Sequence, residues 1–107
     1  MVGRMKNPPH PGWMIKETIE DTGISMRELA ERMDVSPAAL SRLANGKATL
    51  TGEMAVKMAA VIGGSARVWM AMMADFQAAQ AEKEVDVSNL KPLTPADFGR
   101  DTPAPHH

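Results

Sequence analysis

Ser36, Ser41, Arg42, Asn45 and Lys47 crowd into one short stretch of a chain otherwise sparing with reactive groups. Ala38, Ser41, Arg42 and Asn45 recur at i, i+3, i+4 and i+7, so a helix gathers them on one side. Bond-making chemistry has no foothold in this set. The sequence contains no cysteine, which removes thiolate nucleophiles, cysteine-ligated zinc and disulfides. No glycine-rich loop suits a phosphate, the carboxylates are scattered, and His10 lacks a histidine or acidic partner at ligand spacing. His10 is read as turn packing, the terminal His106-His107 pair is assigned no metal, and no enzyme, cofactor or catalytic residue is expected. Directed hydrogen bonding to a polar surface remains. Arg42 can fork onto a guanine edge, Ser41 can bond a base or phosphate, and a small Ala38 lets the backbone come close. The same spacing also fits a solvated amphipathic helix in any all-α domain.

Positioning such a face requires a short helix with defined ends. Ser36-Pro37 is a start signal, because serine caps the first turn and proline fits where no amide hydrogen is needed. Asn45-Gly46 supplies the stop. Upstream, Ser25 followed by Glu28 reads as a capping box that opens another short helix, and Met33-Asp34-Val35 leaves room for little more than a turn. Two such helices form a helix-turn-helix, whose second member enters the DNA major groove. Ala39, Leu40, Leu43 and Ala44 are expected to face the core.

Neighbouring helices must pack this pair, since helices so short bury little alone. The segment Trp13 to Thr22 carries Met14, Ile15, Thr18, Ile19 and Thr22 on one face and ends at Gly23. Thr51 caps a helix over 52–62 with a stripe of Met54, Ala55, Met58, Ala59 and Ile62. Gly63-Gly64 breaks it, and Ser65 caps a longer helix to about residue 84. There Val68, Trp69, Met72, Met73 and Phe76 form a larger apolar stripe. It is expected to contribute a dimer contact across a two-fold axis, with a plain core face as the alternative. Residues 1–9 read as a flexible arm that Arg4 and Lys6 could lay on DNA, and 10–84 as the helix-turn-helix domain. Residues 85–107 read as a tail, with 85–90 alternating like a short strand before a proline-rich remainder.

Composition bounds this plan. A length of 107 residues suits one domain, and aromatics make up only 4% against ten methionines, so the core must be aliphatic and methionine-rich. The net charge of −1 argues mildly against nucleic acid, yet Arg27, Arg32, Arg42, Lys47 and Lys57 cluster around the helix-turn-helix. Such a weakly basic face predicts modest affinity for a monomer and useful affinity for a dimer. The first residues show no apolar run after their charges, and no apolar stretch approaches the ~20 residues a membrane helix needs. A soluble, cytoplasmic protein is expected.

The chain resembles HigA-type antitoxins within the Xre, lambda-repressor-like helix-turn-helix proteins. The resemblance runs over about 8–90 and rests on His10-Pro11-Gly12, Glu28-Leu29-Ala30, Val35-Ser36, Asn45-Gly46-Lys47, Glu53-Met54-Ala55, Gly64-Ser65, Val68-Trp69-Met70 and Val85-Asp86-Val87-Ser88. It implies an all-α, five-helix domain and a homodimer that binds an inverted-repeat operator and represses its own operon. It further implies a HigB-type toxin partner, a RelE-like ribosome-dependent messenger-RNA endonuclease. The expected contact set is Arg27, Ser36, Pro37, Ala38, Ser41, Arg42, Asn45 and Lys47, with Ser36, Asn45 and Lys47 on phosphates and Ala38, Ser41 and Arg42 toward bases. Met26 stands where many relatives carry a phosphate-contacting glutamine, so that contact is missing or taken by Arg27. Met72-Met73 replaces a frequent Leu-Gln pair. Ala38 and Ala39 leave few base-reading side chains, which shifts specificity to Arg42, loop contacts and DNA shape. A stand-alone or phage-type repressor without a toxin, and an interaction module that has lost DNA binding, are the alternatives.

Overall fold

The computed structural model describes residues 7–99. The expectations for Arg4, Lys6 and the His106-His107 pair fall outside them. Helices run in the order α1 (Trp13–Thr22), α2 (Met26–Met33), α3 (Pro37–Ala44), α4 (Gly52–Val61), α5 (Ala66–Glu84) and a short α6 (Pro95–Phe98). The all-α expectation holds, with one helix added.

Local chemistry sets the helix starts. The hydroxyls of Ser25, Ser36, Thr51 and Ser65 accept from the backbone N–H three residues on, at 3.0, 3.1, 3.2 and 3.1 Å, each satisfying an orphan donor. The expected capping box of α2 is only half made. Glu28 turns away from the Ser25 amide because Arg32, one turn later, takes its carboxylate at 2.7 Å. The turn between α2 and α3 is made by Asp34 in the left-handed region, φ 56°, a conformation short polar residues tolerate. Lys57 Nζ, paired with Glu53 at 3.2 Å, donates to the Asp34 carbonyl at 3.0 Å and so ties α4 to this turn.

Packing follows the expected stripes with two shifts. Ile15, Leu29, Met33, Leu40, Leu43, Leu50 and Met58 are essentially fully buried, and α2 packs on α3 and α4, α1 on α3, and α4 on α5. Ala39 is exposed rather than in the core. Leu40, Leu43 and Ala44 define the buried direction, and Ala39 lies about 100° from Leu40, at the flank. Thr22, expected on the inner face of α1, is likewise exposed.

Residues 85–90 form no strand. The Ser88 N–H donates to Asp86 Oδ1 at 2.9 Å and, with the Ser88 hydroxyl, holds that carboxyl below the usual carboxylate range. This local turn consumes the donor a strand would offer to a neighbour. The proline-rich remainder yields α6, where Pro95 stands in the first turn and the Asp97 carboxylate accepts from the Thr94 amide at 2.8 Å. At the other end, residues 7–9 are part of the folded body. Lys83 Nζ donates to Asn7 Oδ1 at 2.6 Å, and Pro8 and Pro9 are half-buried.

Candidate nucleic-acid interface

The outward side of α3 carries the predicted reading face. Pro37, Ala38 and Arg42 are exposed, Ser41 is half-buried, and Asn45 and Lys47 are exposed just beyond the helix. Arg27 is exposed at the start of α2. Leu40, Leu43 and Ala44 point the other way into the core. Two members of the face are engaged within the protein. Asn45 Nδ2 donates to the Ser41 carbonyl at 2.9 Å, and Arg42 Nη2 leans toward the Lys47 carbonyl at 3.5 Å. The first bond leaves Asn45 an acceptor oxygen more than a free amide donor; the second is long enough to yield to a better acceptor.

The loop after α3 is fastened from two regions distant in the chain, the stretch before α1 and helix α5. Gly12 lies so close beneath the end of α3 that an added Cβ would overlap the Leu43 carbonyl. His10 accepts the Gly12 N–H on Nδ1 at 2.9 Å, which leaves Nε2 to donate to the Ala48 carbonyl, also at 2.9 Å. Its ring meets Phe76 of α5 edge-on, with centroids 5.0 Å apart. The Leu50 N–H, on a fully buried residue, donates to Met73 Sδ at 3.2 Å. Lys47 therefore sits on a segment whose backbone is held at Leu43, Ala48 and Leu50. His10 is turn packing as expected, but its reach to Ala48 and Phe76 lies beyond any sequence spacing. Gly12, Met73 and Asp34 were each singled out in the sequence, but the positioning part each plays is visible only in the structure. For Asp34 a signal existed, since a turn of that length needs a residue tolerant of positive φ.

Of the five α5 side chains expected at a two-fold contact, four pack within the protomer. Trp69 and Met73 are 6% and 3% exposed in its own core. Phe76 packs on His10, Met72 is half-buried against the core, and only Val68 among the five stands free, at 54% exposure. A stripe at i, i+1, i+4, i+5 and i+8 describes a core face as well as a contact face. Trp69 has a specific seat: its Nε1 donates to the Gly63 carbonyl at 2.8 Å, and Gly64, φ 76°, passes beneath the indole where a Cβ would press on the ring. The outward side of α5, Met70, Ala71 and Ala74, borders an open groove instead.

Among the described residues no group of three or more histidine or carboxylate side chains is arranged to hold a metal ion. No helix among them is long and apolar enough to cross a membrane.

Residues 15–69 match the Helix-turn-helix family. The chain is 44% identical over 90 residues to an uncharacterised HTH-type transcriptional regulator of Escherichia coli K12, covering 84% of this chain and 96% of that protein. It is 38% identical over 66 residues to antitoxin HigA-1 of Vibrio cholerae, 61% of this chain and 62% of that one. In structure it resembles the Pseudomonas aeruginosa antitoxin HigA solved with the higBA promoter, with a TM-score of 0.71, 22% identity, and coverage of 82% and 100%. Matching helices, matching turn and matching relatives agree: this chain belongs to the helix-turn-helix family of lambda-repressor-like regulators and resembles the antitoxins of the HigA type within it.

Proposed function

We propose that the protein is the antitoxin of a HigBA-type pair, binding an inverted-repeat operator as a homodimer and repressing its own operon. It would also neutralise a RelE-like ribosome-dependent messenger-RNA endonuclease. The observation that carries the DNA-binding part is the face of α3, where Ala38, Ser41, Arg42 and Asn45 are turned away from a core that Leu40 and Leu43 close. In this reading Ser41 and Arg42 address base edges, while Ser36, Asn45, Lys47 and Arg27 position the helix on phosphates. Pro37 and Ala38 keep the helix start close to the groove floor. The toxin half of the proposal draws on the likeness to antitoxin HigA-1. The long match to a protein named as an HTH-type transcriptional regulator supports a stand-alone repressor as the second reading.

Titration of the upstream promoter fragment, read by fluorescence anisotropy, tests the DNA half. Arg42→Ala should weaken operator binding by about 1–3 kcal/mol and relax choice at one base pair. Lys47→Ala should weaken binding to every sequence and flatten the salt dependence. Equal losses on random DNA for both variants would reduce Arg42 to a phosphate contact. No binding at low salt would leave an interaction module. Co-expression with the product of the adjacent gene separates antitoxin from stand-alone repressor: rescue of growth supports the former, and absence of toxicity or of rescue the latter.

A further inference from the structure

Two apolar surfaces have no partner among the described residues. The first is a groove of about 670 Å³ along the outer side of α4 and α5, walled by Val56, Met70, Ala71 and Ala74 with Arg67 at one end. Val56 is 59% exposed there. The second is the segment after α5, in which Val85, Val87, Leu90, Leu93 and Phe98 are 57–77% exposed. Exposed apolar residues this dense on a proline-containing segment mark a surface awaiting cover.

We propose that each of these surfaces covers the other across a dimer: the 85–98 segment of one copy lies in the α4–α5 groove of the second. This deepens the homodimer reading above and rests on it. To reach its own groove the segment would have to double back along α5, whereas the groove of a second copy can lie directly ahead of it. The groove flanks the first half of the helix, whereas the segment leaves from its last residue, roughly 25 Å from Arg67 at ~1.5 Å per residue. In the structure the segment stays exposed rather than folding back. A two-fold axis that sets two α5 helices antiparallel removes that separation, bringing the end of each helix beside the start of the other. Charge fits the same arrangement. Arg67 marks the groove end at the start of α5, and Glu82, Glu84 and Asp86 surround the point where the segment departs. Antiparallel helices put these acids against Arg67 and the positive end of the helix dipole. The small side chains of Ala71 and Ala74 leave room in the groove for a segment that is helical only over Pro95–Phe98.

Because the chain lacks cysteine, a nitroxide placed by Lys91→Cys reports from one site. Spin-labelled chains at natural isotopic abundance are mixed with unlabelled ¹⁵N chains, and the oligomeric state is measured by sedimentation. Broadening of the Val56, Met70, Ala71 and Ala74 amides in the ¹⁵N chains supports the exchange. A dimer in which those amides stay sharp overturns the exchange and leaves the homodimer standing. A monomer overturns both. With label and ¹⁵N on one chain, diluted into excess unlabelled protein, broadening that persists undiminished means the segment seats on its own groove and also overturns the proposal. The double variant Leu90→Asp/Leu93→Asp alters no contact of the protomer core, so at concentrations where the protein is monomeric it should keep its melting behaviour. It should raise the dimer Kd at least about tenfold; an unchanged Kd counts against the exchange.

Discussion

At its N-terminal end α3 is held by its own neighbours in the chain, the Ser36 hydroxyl and the preset backbone of Pro37. At its C-terminal end it is held by Gly12, His10 and Met73, which come from the first and the fifth helical regions. The near end makes the helix; the far end aims it. A cap can be exchanged for another cap at small cost. A backbone seated under a glycine and a loop pinned at two carbonyl or amide positions have no such substitutes. The difference predicts an ordered set of losses, each measurable by chemical denaturation and by operator binding.

Gly12→Ala should cost most, about 3 kcal/mol, because its methyl group meets the Leu43 carbonyl and one of two helices must move. Operator affinity should fall beyond what unfolding explains, since the displaced element is α3 itself. His10→Ala comes next at about 2 kcal/mol, losing two hydrogen bonds and the Phe76 contact. The amides of Gly12 and of the loop at 47–49 should then exchange faster with solvent. Met73→Leu should cost about 1–2 kcal/mol, more than its nearly equal volume suggests, because the Leu50 N–H is left buried without an acceptor. Loss of protection at that single amide is the signature to look for. Ser36→Ala should be mildest at about 1 kcal/mol, with fraying confined to the first turn of α3. Should Ser36→Ala prove costlier than Gly12→Ala, the contrast between the two ends would collapse.

The same contrast explains what could be read in advance. Ser25, Ser36, Thr51 and Ser65 announce helix starts because a cap needs only the next three residues, and each does so in the structure. That Ala38, Arg42 and Asn45 turn outward was legible for the same reason, being a matter of helical angle, while Ala39 lay too near the flank for that rule to place it. Glu28 shows the limit even of local rules: two partners lay within reach, and Arg32 won. Thr94-Pro95-Ala96-Asp97 carries a start signal of the familiar kind, overshadowed by the surrounding prolines. The α5 stripe was ambiguous because periodicity reports that a face is apolar and not what it meets. Only the tertiary arrangement shows Trp69 bonded to Gly63 and Met73 to Leu50. His10 and Gly12 were visible as a motif, but the 38 residues separating His10 from Ala48 carry no trace of their bond.

Asn45 and Gly46 also have a chemical lifetime. An asparagine followed by glycine is prone to close a succinimide ring when the glycine nitrogen attacks the side-chain carbonyl carbon, one reason asparagine counts as thermolabile. Here that nitrogen donates to the Leu43 carbonyl at 3.0 Å, and the side-chain amide is drawn toward Ser41 at 2.9 Å. Deamidation would replace a neutral amide with an anion on the surface proposed to approach phosphate. Folding thus shields the pair from its own ageing, and the isoaspartate content of a stored sample becomes a record of how often the end of α3 has come loose.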